Sequence, residues 1–220
     1  MTRSLIVGAS GGIGHALAQE LQDRGQSVTT VSRSIDGLDV TDEKSIASCL
    51  GRLDGFFDRI IVATGALSTG GHGPEKTLRS LDAGAIAAQF ALNATGPALI
   101  MKHSLRLMPR DRRSVFVALS ARVGSIADNR LGGWYSYRAS KAALNQLIHT
   151  AAIEVARSHP KAICAVLHPG TVATDFTKNY RSHDMVAPQK AAANLLGVMD
   201  GLTASETGGF YDWNGQQVAW

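Results

Sequence analysis

The chain has 220 residues, of which 45% are apolar, and its mean hydropathy is near zero, so it can bury the core of one globular domain. The formal net charge is +4, and the basic cluster Arg110, Arg112 and Arg113 contains Asp111 and no aromatic residue, which predicts a solvated turn rather than a nucleic-acid surface. No run reaches the roughly 18 to 20 uncharged apolar residues that span a bilayer, and the apolar start is too short for a signal peptide, so we expect a cytoplasmic protein that acts without membrane or nucleic acid.

Five short runs are nearly continuously apolar, which is typical of strands buried on both faces of a parallel sheet; they are 4–7, 27–31, 59–63, 114–119 and 161–167. Helical patterns alternate with them at 12–24, 42–53, 78–108 with a break, 135–158 and 188–199. This alternation predicts right-handed crossovers and a Rossmann-type, doubly wound parallel sheet in a single α/β domain over 1–220. Only six residues, 33–38, precede Asp39, so we expect a loop in place of the crossover helix between strands 2 and 3.

Cys49 and Cys164 lie in a helical and a strand-like stretch, with no His or Cys at metal-ligand spacing nearby. This context predicts reduced packing residues and no metal site.

The first strand runs directly into the glycine-rich segment Gly8-Ala-Ser-Gly-Gly-Ile-Gly14, and a helical pattern follows. Glycines allow a tight turn and bring backbone amides close to a pyrophosphate at a helix N-terminus, where the helix dipole favours anions. The position between strand and helix makes this segment a candidate dinucleotide site.

At the end of the second strand, Ser32 stands where an NAD-preferring enzyme carries an acid for the ribose hydroxyl, and Arg33 follows it. A guanidinium pairs with the 2′-phosphate of NADP through charge-assisted hydrogen bonds, and no carboxylate is expected at this strand end. The pattern favours NADP(H) over NAD(H), the alternative being a solvated arginine.

Tyr137 and Lys141 are four residues apart in a helical pattern, so their side chains share one face. A phenol is a weak base at neutral pH, but a nearby ammonium favours its ionised form. The pair is therefore a candidate acid and base for proton transfer.

The glycine-rich turn and the Tyr-Lys pair occur together with further motifs in the same order as in the short-chain dehydrogenase/reductase family, which the chain resembles over essentially its whole length. That family usually has Thr where Val7 stands. The matching segments are Gly8–Gly14, Asp39-Val40, Ala63-Thr64-Gly65, Asn93-Ala-Thr-Gly, Tyr137-Arg-Ala-Ser-Lys141 and Pro169-Gly-Thr-Val-Ala-Thr174. The segments at 124–129, 132–145 and 209–220 are similar to the C-factor and sniffer carbonyl reductase branch.

The resemblance implies a cofactor site in which Asp39 and Val40 border the adenine and Lys141 holds the nicotinamide ribose. Thr41 is better placed than Asp39 to cap the helix that follows. The further cofactor residues that it implies are Gly8, Ser10, Gly12, Ile13, Gly14, Ser32, Arg33, Ala63, Thr64, Gly65, Pro169, Gly170, Val172 and Thr174.

For catalysis, the resemblance implies Tyr137 as acid and base, Lys141 beside it, and Asn93 at a helix kink that holds a proton-relaying water. The family serine that orients the substrate oxygen precedes a glycine by three residues, and counting back from Gly124 gives Ala121. Ser120 and Ser125 are the alternatives, and a site without such a hydroxyl is the third. The expected catalytic residues are therefore Tyr137, Lys141, Asn93 and Ser120.

The resulting hypothesis is an NADP(H)-dependent enzyme that reduces a small-molecule carbonyl or oxidises an alcohol. A nucleotide-binding signalling or regulatory protein of the same fold is the alternative, which the alanine at position 121 permits. The loops expected to line the pocket allow an apolar substrate but do not identify one. They are 68–74, 126–134 and 177–187, and they contain Trp134, Tyr180 and Met185. Relatives commonly associate through the helices that carry Asn93 and Tyr137, so we expect a homodimer or homotetramer.

Overall fold

The computed structural model describes residues 2–69, 71, 73–178 and 185–220; Tyr180 lies outside them. All strand pairings within the sheet are parallel, and the spatial order is β2-β1-β3-β4-β5-β6. The strands are β1 (Arg3–Val7), β2 (Ser27–Val31), β3 (Arg59–Val62), β4 (Ser114–Leu119), β5 (Ala162–His168) and β6 (Phe210–Asp212). The predicted doubly wound α/β fold is confirmed.

Seven α-helices connect and cover these strands in the described part of the chain. They are α1 (Gly12–Asp23), α2 (Arg33–Asp36), α3 (Glu43–Gly51), α4 (Ala83–Phe90), α5 (Gly96–Ser104), α6 (Tyr135–Ser158) and α7 (Pro188–Gly201). Both faces of the sheet are buried, because α1 and α7 pack on one face and α3, α5 and α6 on the other. This explains why the strands are continuously apolar rather than alternating.

Residues 33–38 contain one turn of helix, α2, instead of the predicted loop. The Ser32 hydroxyl accepts from the Ile35 N–H at 3.4 Å, and the Ser32 N–H donates to the Asp36 carboxylate at 2.7 Å. No strand in the described residues follows before α3, so α3 is the crossover helix between β2 and β3. The expectation of a loop in its place is wrong, and Asp42, not Thr41, caps α3 by accepting from the Lys44 N–H at 3.0 Å.

The predicted break in the helical stretch at 78–108 is a turn of π-helix, Ala91–Thr95, between α4 and α5. By length and composition alone, Ala83–Leu107 is long and apolar enough to cross a membrane, which the sequence analysis did not predict. One such helix is weak evidence for a span, since a core helix of a soluble protein passes the same test. Here Ala94 and Ile100 are buried in the core beneath α3 and α6.

The strand β6, three residues long and paired with the end of β5, is not predicted from the sequence. The other five strands and the bounds of α6 are as predicted. Cys49 and Cys164 are free and buried, as expected. The basic cluster lies in an exposed turn before β4, where Arg112 pairs with Asp58 and Arg113 donates to the backbone carbonyls of Met199 and Leu202.

Candidate active site

The glycine-rich turn joins β1 to α1 at the carboxyl edge of the sheet. Gly8 has φ +95° and its N–H donates to Val31 O at 2.7 Å, so the turn sits directly beside the end of β2. A Cβ on Gly14 would overlap the Gly8 carbonyl oxygen, which makes glycine the residue that fits there. No side chain caps the N-terminus of α1, and the turn therefore leaves its first amides for an anion.

A cleft of about 610 Å³ opens in front of this turn and extends over the ends of β3, β4 and β5. A cleft of this size suits a small-molecule ligand. The predicted residues that line it are Ser10, Gly12, Ile13, Ala63, Thr64, Gly65, Ser120, Tyr137, Lys141, Pro169, Gly170, Val172 and Thr174.

The residues predicted at the adenine end of the cofactor do not line this cleft, and neither do Gly8 and Gly14; those adenine-end residues are Ser32, Arg33, Asp39 and Val40. Ser32 is buried as the cap of α2, while Arg33 is exposed. A carboxylate does stand at the end of β2, contrary to expectation, because α2 folds Asp36 back onto the Ser32 N–H. The Asp39 carboxylate accepts from the backbone and hydroxyl of Thr41 at 2.8 and 2.7 Å, which lowers its pKa, and Val40 packs in the core.

Two buried polar atoms in the cleft have no hydrogen-bond partner among the described residues, namely Thr64 Oγ1 and His168 Nδ1. Buried polar groups are nearly always paired in folded proteins, so such atoms indicate a site for a polar ligand. Together with the unfilled amides of the glycine turn, they fit a dinucleotide, which carries phosphate, hydroxyl and carboxamide groups.

Tyr137 and Lys141 project from the first turns of α6 and are both buried. Lys141 Nζ donates to Leu119 O, at the end of β4, at 2.8 Å and lies 6.0 Å from the Tyr137 ring centroid. Burial raises the pKa of Tyr137 and lowers the pKa of Lys141 to about 7. Burial thus changes the pKa of Tyr137 more than the nearby ammonium was expected to, and the phenol keeps its proton at neutral pH.

Asn93 lies in the π-helical turn, fully buried, and its carboxamide binds the loop after β3. Its Oδ1 accepts from the Ala66 N–H and its Nδ2 donates to Ala66 O, both at 2.9 Å. A Cβ on Gly65 would meet Asn93 Oδ1 at 3.0 Å and Lys141 Nζ at 3.5 Å, so the amide and the amine flank the same backbone position. The break predicted in this helical stretch includes Asn93, and the role of Asn93 in holding a water stays a prediction.

Of the two candidate serines, only Ser120 lines the cleft. Its N–H still pairs with Leu167 O at 2.8 Å, and its hydroxyl donates to Asn145 Oδ1 of α6 at 2.6 Å. Ala121 continues in an extended conformation and also lines the cleft, without a hydroxyl. The Ser125 hydroxyl accepts from the Asp128 N–H at 3.0 Å, in the following loop.

Sequence reasoning missed several polar residues that support the site: the buried Glu75, Gln89 and Asn145 and the partly buried His168. Gln89 donates to Leu67 O at 3.0 Å and accepts from Asn93 Nδ2. Its spacing of four residues before Asn93 on one helix is the signal that points to it. Glu75 lies in a glycine-rich segment with no periodic pattern, so nothing in the sequence distinguishes it.

The sequence and structure are similar to those of known proteins. The family model for the short chain dehydrogenase matches residues 3–185. A Rhodococcus protein named 1-hydroxy-2-glutathionyl-2-methyl-3-butene dehydrogenase is 31% identical, with all of both chains covered. The C-signal protein of Myxococcus xanthus is 33% identical over 65% of this chain and 83% of its own.

Among solved structures, a short-chain dehydrogenase/reductase of Burkholderia multivorans with bound NADP superimposes with a TM-score of 0.81. It is 25% identical, and the match covers 100% of this chain and 99% of that one.

Stability should depend on pH through His168, whose pKa burial lowers to about 4. In the unfolded chain His168 takes up a proton near its ordinary pKa of roughly 6.5, whereas in the folded chain it does so only near pH 4. The free energy of unfolding that is present above pH 6.5 is therefore lost as the pH falls toward 4. We expect His168→Asn to flatten the fall in Tm between pH 7 and 5, by the equivalent of about 1 to 3 kcal/mol. His15→Asn, on the exposed side of α1, is the control, and equal pH profiles for wild type and His168→Asn would contradict the assignment.

Proposed function

This chain belongs to the short-chain dehydrogenase family, and on that premise we propose that it is an NADP(H)-dependent oxidoreductase of the carbonyl reductase type. The observation that carries the proposal is one cleft that holds a glycine turn at a helix N-terminus together with the buried pair Tyr137 and Lys141. The substrate is a small carbonyl compound or the corresponding alcohol.

The cofactor is NADP(H) rather than NAD(H). The glycine turn and the amides of α1 bind the pyrophosphate, Thr64 and the end of β3 follow the ribose, and Pro169 to Thr174 meet the carboxamide. Arg33 pairs with the 2′-phosphate, which its exposed position allows. The nearby Asp36 makes this arginine more important, because its carboxylate would otherwise repel the phosphate. The Burkholderia structure with bound NADP supports the same choice.

Tyr137 is the acid in the reductive direction. Bound NADPH supplies the hydride to the carbonyl carbon, and the phenolic proton of Tyr137 passes to the substrate oxygen. Burial raises the pKa of Tyr137, which keeps the proton on the phenol until the oxygen becomes basic. Lys141, whose pKa burial lowers to about 7, then returns a proton to Tyr137 and regains one from solvent through the water that Asn93 would hold. Asn93 holds the backbone beside Lys141.

Ser120 orients the substrate oxygen in this proposal. The hydroxyl has a single hydrogen, which it gives to Asn145 Oδ1. Turning the Asn145 carboxamide by 180° presents its NH₂ to Ser120 Oγ instead, which frees the hydroxyl hydrogen for the substrate.

For the domain, location and assembly we propose what the sequence predicts. Residues 1–220 act as one NADP-binding domain, and the protein works in the cytoplasm on small molecules, without membrane or nucleic-acid partners. A homodimer or homotetramer forms through α4 and α5, which flank Asn93, and through α6, which carries Tyr137.

We predict that NADPH binds at least tenfold more tightly than NADH. Arg33→Ala should remove most of this difference, because it deletes the partner of the 2′-phosphate, while Arg157→Ala at the exposed end of α6 should leave it unchanged. Titration calorimetry of both cofactors measures the effect. Equal affinities in the wild type would refute the NADP assignment.

Tyr137→Phe should leave NADPH affinity nearly intact and lower kcat by ~10² to 10⁴, the usual value of general acid catalysis. Tyr135→Phe, two residues earlier and partly exposed, is the matched control and should keep wild-type turnover. Both are measured with NADPH and a panel of carbonyl compounds. A Tyr137→Phe enzyme with more than about a tenth of wild-type kcat would show that another group is the acid. NADPH binding without turnover of any carbonyl by the wild type would favour the nucleotide-binding signalling alternative.

The orienting hydroxyl is identified by Ser120→Ala and Ser125→Ala, measured separately. Ser120→Ala should slow the chemical step by ~10² with NADPH affinity unchanged, because its hydrogen bond forms to the reacting oxygen. Ser125→Ala should keep wild-type turnover. If neither variant is slower, the site works without this hydroxyl, and Ala121→Ser would then be expected to accelerate reduction.

A further inference from the structure

The carboxylate of Glu75 is buried against the N-terminus of α6, the helix that carries Tyr137 and Lys141. Its Oε2 accepts from the Ser136 N–H at 3.2 Å, and its Oε1 accepts from the Ser136 hydroxyl. The Glu75 backbone carbonyl accepts from the Trp134 N–H at 2.5 Å. Glu75, which lies in a distant loop, thus accepts three hydrogen bonds from Trp134 and Ser136, the residues on either side of the first residue of α6.

This helix start needs such support. Trp134, the N-cap, has φ +53° and is the only non-glycine residue with positive φ in the described part of the chain. It provides no side-chain cap, although Ser, Thr, Asp or Asn usually fills this role. A left-handed conformation is costly for a bulky residue and persists where surrounding bonds enforce it. Glu75 supplies both the missing cap and one of those bonds.

Charge at this position also favours the helix. A carboxylate at a helix N-terminus interacts favourably with the helix dipole and with the unpaired N–H groups of the first turn. Burial alone would raise the pKa of Glu75, but the hydrogen bonds from Ser136 outweigh it and the pKa is lowered. Glu75 is therefore ionised at neutral pH and remains an acceptor for both Ser136 groups.

Tyr137 lies one residue beyond Ser136, in the same first turn. The Trp134 ring meets the Tyr137 ring edge-on at 6.2 Å, and Phe176 borders it at 6.1 Å. Glu75 and Tyr137 also line one small cavity with Gln89 and Leu67. A change at Glu75 would thus shift both the backbone that carries the phenol and the ring that packs beside it.

We infer that Glu75 is a positioning residue for Tyr137, which holds the first turn of α6 so that the phenol meets the substrate oxygen. This inference rests on the proposed function of Tyr137. Displacement of a catalytic group by about 1 Å can lower a rate by ~10², so the effect should appear in kcat rather than in cofactor binding.

The test compares Glu75→Ala, Glu75→Gln and Ser136→Ala for kcat, KM and NADPH affinity with the best carbonyl of the panel. Glu75→Ala should lower kcat by about 10- to 100-fold and keep NADPH affinity within about twofold, since no cofactor residue changes. Glu75→Gln should stay within about threefold of wild type, because its amide oxygen accepts from the Ser136 N–H and its NH₂ donates to the Ser136 hydroxyl. Ser136→Ala, which keeps the backbone contact, should fall between them.

Glu206→Ala is the matched control. The Glu206 carboxylate accepts from Thr203 in a capping box far from the cleft, so its loss should lower Tm without changing kcat. A folded Glu75→Ala enzyme with kcat within about twofold of wild type would overturn the inference, as would a Glu75→Gln enzyme as slow as Glu75→Ala.

Amide hydrogen exchange provides a readout that does not depend on turnover. In Glu75→Ala, or in Ser136→Ala if the former does not fold, the amides at 134–138 should exchange at least tenfold faster, while those at 148–155 in the same helix are unchanged. Equal protection in variant and wild type would refute the inference. Absence of carbonyl reduction by the wild type, with this local loosening present, would instead refute the proposed function.

Discussion

Lys141 joins α6 to the sheet through the hydrogen bond from its Nζ to the carbonyl oxygen of Leu119. Burying an ammonium group costs several kcal/mol unless it is paired or loses its proton, and the lowered pKa of Lys141 shows the second response. The bond holds α6 against the end of β4, and Tyr137, one turn earlier, lines the same cleft as Leu119 and His168. Gly124 permits this arrangement, since a Cβ there would lie 2.9 Å from the Lys141 backbone.

The π-helical turn at Ala91–Thr95 has a similar function for the loop after β3. Inserting one extra residue into a helix changes the direction in which the following side chains point, and here it lies between two helices that both pack on the core. Asn93 therefore points toward Ala66 instead of solvent, and its carboxamide pairs with both backbone groups of that residue. Gln89 completes the contact by binding Leu67. The loop that borders the cleft is thus held by two buried amides, those of Asn93 and Gln89.

The sequence predicts most of the fold and the glycine turn that borders the cleft, because both depend on local patterns. Continuous apolar runs identify five strands. The glycine turn is identified by its position between a strand and a helix. The errors arise where short-range hydrogen bonds compete with these patterns. Asp36 turns residues 33–38 into a helical turn by binding Ser32, and β6 is too short for periodicity to show. Glu75 and Asn145 could not be predicted, since their partners Ser136 and Ser120 are 61 and 25 residues away along the chain.

The two ends of the cleft therefore differ in how they are specified. The proposed cofactor end is built around the glycine turn, where a Cβ on Gly8 or Gly14 would collide with backbone atoms. The proposed substrate end is built from loops whose geometry depends on distant partners, as the αL conformation of Trp134 depends on Glu75. A change in these partners can reshape the substrate end while the glycine turn and the sheet stay as they are. Proteins with this fold can thus keep one hydride chemistry and change the molecule that they reduce.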